Sequence, residues 1–216
     1  MPEPSAPLLE TRALTCVRGR ARLFAGLDLA VGEGELLHVA GANGSGKTSL
    51  LRILCGLSEP ESGEVRWRGQ PARSVRDDWR GGMLYLGHRN GVKDDFTPLE
   101  NLHASAAIAG ERIADTVLLE ALVDIGLAAR LDVPARSLSQ GQRRRVALAR
   151  LLADTRSALW ILDEPFTALD VRAVAVLAAA MAAHLRRGGA LIYTTHQPVD
   201  IEAERRQTLN LDDYAC

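Results

Sequence analysis

The sequence predicts an α/β fold: a mostly parallel sheet with helices, a small antiparallel β subdomain and an inserted helical subdomain. Three observations lead to this prediction. Short apolar runs bounded by glycine or charged residues alternate with helical patterns, as buried parallel strands do. Near the N-terminus, alternating strand patterns are separated by glycine-rich turns, which favours an antiparallel sheet. From about residue 92 to residue 155 the periodicity is helical only.

The predicted elements follow one another in a regular order. The antiparallel strands are predicted over residues 8–14, 27–31 and 65–67, and the parallel strands over residues 36–40, 83–86, 159–162 and 190–194. Apolar residues three and four positions apart predict helices over residues 49–54, 99–108, 113–125, 142–153 and 171–187. The last helix ends with Arg186 and Arg187 before two glycines, which suits the negative end of its dipole.

Length and charge limit the possible functions. With 216 residues, the chain is long enough for one compact domain, and we interpret residues 1–216 as a single domain. The formal net charge is -1, from 26 basic and 27 acidic residues, so there is no overall positive field to hold a nucleic acid. We therefore expect no nucleic-acid partner.

Cysteine spacing and apolar runs bear on location. Cys16, Cys55 and Cys216 lack metal-ligand spacing, so we interpret them as free thiols of a reducing compartment that pack as small apolar side chains. Residues 1–5 lack the basic region of a signal peptide, and the longest apolar run, residues 173–183, is too short to span a bilayer. These features predict a chain that stays in the cytoplasm unless another protein holds it at a membrane.

A glycine-rich loop directly follows the strand predicted at residues 36–40. It has the pattern G-x-x-x-x-G-K-[ST], and with the residue after it comprises Gly41, Ala42, Asn43, Gly44, Ser45, Gly46, Lys47, Thr48 and Ser49. Backbone N–H groups of such a loop, together with the following helix N-terminus, bind phosphate oxygens. Lys47 is predicted to neutralise the β- and γ-phosphates, and Thr48 to place its hydroxyl on Mg²⁺. The alternative is a chance glycine-rich turn, against which the strand and helix on either side argue.

Two carboxylates end the apolar run at residues 158–162. A strand buried on both faces would bring Asp163 and Glu164 to the carboxyl edge of a parallel sheet, where ligands bind in α/β folds. Asp163 suits a Mg²⁺ ligand, and Glu164 suits a group that orients or deprotonates an attacking water. A solvated strand end is the alternative interpretation, and it becomes less plausible beside a phosphate-binding loop.

The segment Leu-Ser-Gln-Gly-Gln at residues 138–142 opens a helix. It resembles LSGGQ, the signature motif of ABC ATPases, with Gln140 in place of the first glycine. The resemblance implies that Ser139, Gly141 and Gln142 bind the γ-phosphate of ATP held by a second copy of the chain, which implies an ATP-sandwich dimer. Taken alone, Ser139 could simply be the helix N-cap. The arginines at residues 143–145 are predicted to form a solvated helix face.

Further landmarks occur in the order of that family. Residues 168–170 resemble the loop that contacts the opposite subunit, and His196 follows a predicted strand as the switch histidine of ABC ATPases does. The resemblance implies the P-loop NTPase fold of the ABC ATPase core, ATP and Mg²⁺ as ligands, and Lys47, Glu164 and His196 as catalytic residues. A lone histidine is more often structural, and this is the prediction for His38, His103 and His184.

Two positions depart from the family pattern. His88, 41 positions after Lys47, stands where the family usually has a glutamine. Imidazole can accept a hydrogen bond from water or approach Mg²⁺, although magnesium prefers oxygen ligands, so His88 joins Thr48 and Asp163 as a candidate for the metal site. Arg18 stands where the family has an aromatic residue that stacks on adenine, and a guanidinium can stack on a base as well.

One branch of the family matches nearly the whole chain, from about residue 8 to residue 211. Residues 87–93, 97–102, 138–150, 160–170 and 194–198 resemble the ATP-binding subunit of the heme exporter of the Ccm cytochrome c biogenesis system. The resemblance implies a peripheral subunit on the cytoplasmic face of the bacterial inner membrane, bound to integral membrane partners, whose ATP hydrolysis supports heme delivery to a periplasmic heme chaperone. The chain has no Cys-x-x-Cys-His segment, so we expect no direct heme contact.

Two other functions share these motifs. The same motor could serve an ABC exporter of another substrate, such as a lipid or a drug, which the ATPase motifs do not distinguish. A soluble ABC ATPase acting on DNA or ribosomes usually has two cassettes or a long coiled-coil insertion. Ser139 follows His88 by only 51 positions, which leaves no room for such an insertion.

Overall fold

The structure, a computed structural model, describes residues 6–215. Two of the interpretations above, on residues 1–5 and on Cys216, lie outside the described residues. The described residues form nine strands: β1 (Leu9–Arg18), β2 (Ala21–Val31), β3 (Glu35–Ala40), β4 (Ser62–Trp67), β5 (Gln70–Pro71), β6 (Met83–Leu86), β7 (Leu159–Asp163), β8 (Ala190–Thr194) and β9 (Arg205–Asn210). The same residues form six α-helices: α1 (Lys47–Leu54), α2 (Arg76–Gly81), α3 (Pro98–Ile108), α4 (Asp115–Asp124), α5 (Gln140–Ala153) and α6 (Val171–Arg186).

A five-stranded parallel sheet forms the centre of the molecule, in the order β6-β7-β8-β3-β9. Alternate residues of its strands belong to different cores. In β7, Leu159 and Ile161 pack on one face with α1 and the antiparallel sheet, while Trp160 and Leu162 pack on the other face with α5 and α6. Burial of both faces explains why β7 is apolar throughout.

The second sheet is antiparallel, in the order β2-β1-β4-β5. The predicted α/β class, with a parallel sheet, helices and a separate antiparallel sheet, is therefore confirmed. The sequence prediction missed β9, α2 and the two-residue strand β5. Strand β9 is almost entirely exposed and polar, so it carries no apolar pattern, and α2 has only six residues.

Helices α3, α4 and α5 follow β6 and precede β7, and they pack on one another around Leu102, Leu118, Leu122 and Leu148. Thr97 caps α3 through a reciprocal pair of hydrogen bonds with Glu100, and Pro98 occupies its first turn. Among residues 6–215, no helix is both long enough and apolar enough to cross a bilayer.

Candidate active site

The glycine-rich loop connects the end of β3 to the start of α1. Gly41 and Gly46 have φ values of 143° and 105°, a region that favours glycine. A Cβ atom on Gly41 would lie 2.8 Å from Ser45 Oγ, and one on Gly46 would lie 3.1 Å from Leu23 Cβ. These glycines therefore allow the loop to close tightly, with the N-terminus of α1 facing the cleft in front of it.

Lys47 is folded back across this loop. Its Nζ donates hydrogen bonds to the carbonyl oxygens of Gly41, at 2.7 Å, and Ala42, at 3.0 Å. Ser45 Oγ is buried and has no hydrogen-bond partner within the described chain. A buried hydroxyl without a partner is costly. The loop thus offers an ammonium group and an unsatisfied hydroxyl, both of which fit phosphate oxygens.

The loop forms one wall of an open cleft of about 370 Å³. Most of the predicted site residues meet there, and the lining consists of Leu23, Asn43, Gly44, Gly46, Lys47, Thr48, Ser49, Asp163, Glu164 and His196. Two cavities of similar volume lie elsewhere, one beside β6 and α3 and one beside α2. Neither contains a predicted site residue, so the chemistry points to the cleft at the loop.

Asp163 lies at the floor of this cleft and is 3% exposed. Thr48 Oγ1 donates to one of its carboxylate oxygens at 2.8 Å, and Thr194 Oγ1 donates to the other at 2.8 Å. The donor set of Thr48 and Asp163 therefore consists of a hydroxyl and a carboxylate that are already adjacent. Magnesium prefers such oxygen ligands, so the residues present fit this ion.

Glu164 and His196 face each other across the mouth of the cleft. His196 Nε2 is 3.5 Å from Glu164 Oε1, which is too long for a strong hydrogen bond. Glu164 Oε1 is buried and accepts no hydrogen bond from the described residues. This oxygen therefore has unused capacity to accept a hydrogen bond, and the imidazole lies beside it.

Glu164 also has an unusual backbone. Its φ is 48°, in the left-handed region that non-glycine residues rarely adopt. Thr194 Oγ1 accepts a hydrogen bond from Glu164 N at 3.0 Å, and so one threonine holds both the Asp163 side chain and the Glu164 backbone. Strained backbone at a site of this kind persists because its surroundings hold it in place.

Not every predicted site residue lines the cleft, and His88 and Arg18 are among those that do not. His88 is exposed just beyond β6, and Arg18 is exposed at the end of β1. Burial raises the pKa of Cys16, whereas the charge of Arg18 and a hydrogen bond with Ser49 lower it. A metal contact of His88 and an adenine contact of Arg18 stay predictions.

Ser139, Gly141 and Gln142 lie at the start of α5, outside the cleft formed by their own chain. Ser139 is the N-cap: its Oγ accepts from Gln142 N at 3.2 Å, and Gln142 Oε1 accepts from Ser139 N at 2.9 Å. The N-cap interpretation of Ser139 is thus confirmed. A Cβ atom on Gly141 would lie 2.9 Å from the Ala168 carbonyl oxygen, so this position requires glycine.

The interpretation of residues 143–145 as a solvated face was wrong for Arg144, which is only 5% exposed. Its neighbours Arg143 and Arg145 do reach partly exposed ion pairs with Asp94 and Asp170. Position 144 lies on the buried face of α5, because Ala147, Leu148 and Leu151 follow at three-, four- and seven-residue spacing. That periodicity is the signal in the sequence that could have identified a buried arginine.

Asp212 was also missed. It belongs to a short 3₁₀ turn, Leu211–Tyr214, after β9, and both of its carboxylate oxygens accept from Ala42 N, at 3.1 and 3.0 Å. Lys47 binds the carbonyl oxygen of the same residue. The glycine-rich loop is therefore held at Ala42 from both sides, by Asp212 and by Lys47.

We expect Asp212→Ala to raise the KM for ATP about fivefold without changing kcat, because loss of one partly exposed charge-assisted hydrogen bond costs about 1 kcal/mol. Asp213→Ala is the matched control, since Asp213 accepts instead from Asn210 Nδ2 in the same turn. Steady-state hydrolysis at varied ATP concentration checks this. Equal KM values for the two variants would contradict it.

Comparisons with known proteins agree with this geometry. A family model described as ABC transporter matches residues 24–167. The "Cytochrome c biogenesis ATP-binding export protein CcmA" of Dechloromonas aromatica (strain RCB) is 53% identical over 204 residues, covering 94% of this chain and 100% of that protein. The protein of the same name from Nitrosomonas europaea is 56% identical over 190 residues, covering 88% of this chain and 89% of that protein.

Solved structures support the fold. A structure described as the ATP binding subunit of an ABC transporter superimposes with a TM-score of 0.82 at 24% identity, covering 94% of this chain and 86% of that chain. The dimeric structure of MJ0796, a bacterial ABC transporter cassette, has a TM-score of 0.81 at 24% identity, covering 94% of both chains. The chain therefore belongs to the ABC transporter family, and within it to the cytochrome c biogenesis ATP-binding export proteins.

Proposed function

We propose that this ATP-binding and ATP-hydrolysing subunit powers a heme exporter, in which hydrolysis supports heme delivery to a periplasmic heme chaperone. One observation carries the hydrolytic part: Lys47, Glu164 and His196 line one cleft together with the glycine-rich loop. The family supplies the connection to cytochrome c biogenesis. We place the subunit on the cytoplasmic face of the bacterial inner membrane, as a peripheral protein bound to integral membrane subunits.

Each group at the site has a proposed role. Backbone N–H groups of the loop at residues 41–49, apart from that of Ala42, which Asp212 binds, act with Lys47 to bind the phosphates of ATP and neutralise their charge. Thr48 and Asp163 would hold Mg²⁺, with His88 as a further candidate, and the ion would supply positive charge beside the phosphates. Glu164 accepts a hydrogen bond from the attacking water and takes up its proton, while His196 keeps the carboxylate and the γ-phosphate in line. Arg18 lies against adenine.

A second copy of the chain completes the site. Ser139, Gly141 and Gln142 are exposed or partly exposed at the N-terminus of α5, where backbone N–H groups and the helix dipole attract anions. They do not reach the cleft of their own chain, so we assign them to the γ-phosphate bound by the partner. Each chain works as one domain, residues 1–216, with residues 92–155 as a helical subdomain.

The segment from residue 88 to residue 101, hereafter the coupling segment, is the proposed contact with the membrane partner. It joins the end of β6, beside the cleft, to α3. Phe96 is 37% exposed here, an aromatic side chain at a surface where interface cores are enriched in such residues. The segment is ordered by its own contacts: Asp94 pairs with Arg143 at 2.9 Å, and Asn101 donates to three carbonyl oxygens.

We expect Phe96→Asp to leave the isolated subunit folded and able to bind ATP, because more than a third of the side chain is already in solvent. Capture by the membrane complex should weaken, and mature c-type cytochromes should decrease. Co-purification with the membrane subunits and heme staining of cytochromes measure these effects. Val123→Asp, at an exposed site on α4 outside the coupling segment, is the matched control. Normal assembly together with normal cytochrome levels would remove the coupling segment from this role.

The transported substrate needs a separate test. A lipid or drug exporter would use the same ATPase site. Heme is expected to contact the membrane partners and not this chain. Complementation separates these cases: a strain lacking the chain should lose c-type cytochromes and recover them with the wild-type chain, whereas an exporter of another cargo would leave cytochromes unaffected.

A further inference from the structure

The buried guanidinium of Arg144 joins the start of the coupling segment to the end of β7. On one side, Nη1 donates to the carbonyl oxygen of Gly87 at 3.1 Å and to Asn90 Oδ1 at 3.0 Å. On the other side, Nη2 donates to the carbonyl oxygens of Asp163, at 3.1 Å, and Glu164, at 2.8 Å. One side chain therefore connects three separate parts of the chain, namely the end of β6, the end of β7 and α5.

Arg144 is costly to bury, and its partners compensate for only part of that cost. Burial lowers the pKa of Arg144, while the nearby carboxylates of Asp163 and Glu164 raise it. Arginine keeps its charge under these conditions. Its Nε is buried with no hydrogen-bond partner among the described residues. An apolar residue here would leave the carbonyl oxygens of Gly87, Asp163 and Glu164 without this donor, so the charge is buried in order to bind these acceptors.

The contact with Glu164 falls on the strained part of the backbone. Glu164 has a φ of 48°, and its carbonyl oxygen accepts hydrogen bonds from Arg144 Nη2 at 2.8 Å and from Thr167 N at 3.3 Å. Thr194, at the end of β8, accepts from the N–H of Glu164, and Arg144, on α5, donates to its carbonyl oxygen. The peptide groups before and after Glu164 are therefore held by side chains from two different elements. The direction of the carboxylate depends on both of them.

We propose that Arg144 is a positioning residue that transmits the state of the coupling segment to Glu164. A shift of Gly87 and Asn90 would move the guanidinium and, through its second nitrogen, the carbonyl of Glu164. The planar fork suits this task, because its two nitrogens bind two partners in a fixed geometry, whereas a lysine ammonium is a single point. The proposal rests on the hydrolytic role of Glu164 proposed above.

The test compares two variants in the isolated subunit and in the complete membrane complex. Arg144→Lys keeps the charge but cannot span both sides, so we expect kcat to fall about a hundredfold, the effect of a misplacement of about 1 Å. The KM for ATP should change less than about twofold, because the phosphate-binding loop is untouched. Arg143→Lys on the same helix is the matched control for the isolated subunit, since Arg143 contacts neither Asp163 nor Glu164.

Asn90→Ala removes the side-chain contact of Nη1 on the side of the coupling segment and leaves its bond to the Gly87 carbonyl oxygen. We expect basal kcat to stay at the wild-type value, while the stimulation of hydrolysis by the membrane partners falls severalfold. Thermal unfolding of each variant identifies a purely structural effect, which would lower stability and leave kcat and stimulation unchanged. If Arg144→Lys does not fold, Asn90→Ala decides the question together with co-purification, because Asn90 also lies in the proposed partner contact. Lost stimulation with normal assembly supports the role of Arg144, and lost stimulation with lost assembly assigns the effect to the partner contact and overturns that role.

Failure of this proposal differs from failure of the proposed function. Wild-type kcat in Arg144→Lys, or undiminished stimulation in Asn90→Ala, alongside an inactive Glu164→Gln variant, would overturn the role of Arg144 alone. Wild-type hydrolysis by Glu164→Gln would instead remove the hydrolytic role of Glu164 on which it rests.

Discussion

Glu164→Gln is expected to reduce ATP hydrolysis about 10²- to 10⁴-fold, the range contributed by a general base, while leaving ATP binding intact. The amide has the size of the carboxylate and can stay beside His196, but it cannot accept the proton of the attacking water. The KM for ATP should therefore change little. Because ATP is bound and not hydrolysed, two chains should stay associated through Ser139 and Gly141.

Turnover, ATP titration and size-exclusion chromatography with and without ATP measure these effects. Glu202→Gln is the matched control, since Glu202 is a surface carboxylate that pairs with Arg186 at 3.0 Å, away from the cleft. Hydrolysis by Glu164→Gln at near the wild-type rate would remove Glu164 from its assigned role. A variant that binds ATP but stays monomeric would contradict the sandwich dimer only.

Lys47→Ala should have an effect of similar size, but on both binding and turnover. The ammonium lies on the glycine-rich loop, 2.7 Å from the Gly41 carbonyl oxygen, where it can move onto phosphate oxygens. Loss of one electrostatic stabiliser of developing charge typically lowers kcat by about 10²- to 10³-fold. In contrast to Glu164→Gln, this variant should bind ATP weakly and form no ATP-dependent dimer.

Lys93→Ala is the matched control in the isolated subunit, because Lys47 and Lys93 are the only two lysines of the chain and Lys93 is exposed outside the cleft. Nucleotide affinity and heme staining of cellular cytochromes are the two measurements. Loss of ATP turnover with normal c-type cytochromes would reject heme export while leaving the ATPase assignment intact. Normal ATP turnover would instead reject the assigned role of Lys47.

Local sequence patterns were sufficient to predict most of the architecture. Strand β7 is apolar on both faces and ends in two carboxylates, so its place in the sheet and the position of Asp163 both follow from the pattern. The conformation of the glycine-rich loop could likewise be predicted from its own residues, because Gly41 and Gly46 adopt φ values that favour glycine. Such features depend on residues that are adjacent in the chain.

Contacts between distant residues could not be predicted in this way. Asp212 binds Ala42 across 170 positions, and nothing in the local sequence of either residue indicates the other. Strand β9 pairs with β3 through its backbone, so its polar residues leave no apolar pattern. Arg144 gave a partial signal through the periodicity of α5, but a single sequence does not show which carbonyl oxygens a buried guanidinium will find.

The left-handed backbone of Glu164 makes the stability of the subunit and its ATP turnover favour different residues at this position. A glycine would adopt a φ of 48° without steric cost, and an asparagine would tolerate it better than a glutamate does. Either residue should relax the turn after β7 and make the subunit harder to unfold, yet neither can accept a proton from water. Screens for thermostable variants should therefore favour inactive chains at this position, and a glutamate here is a mark of selection for turnover.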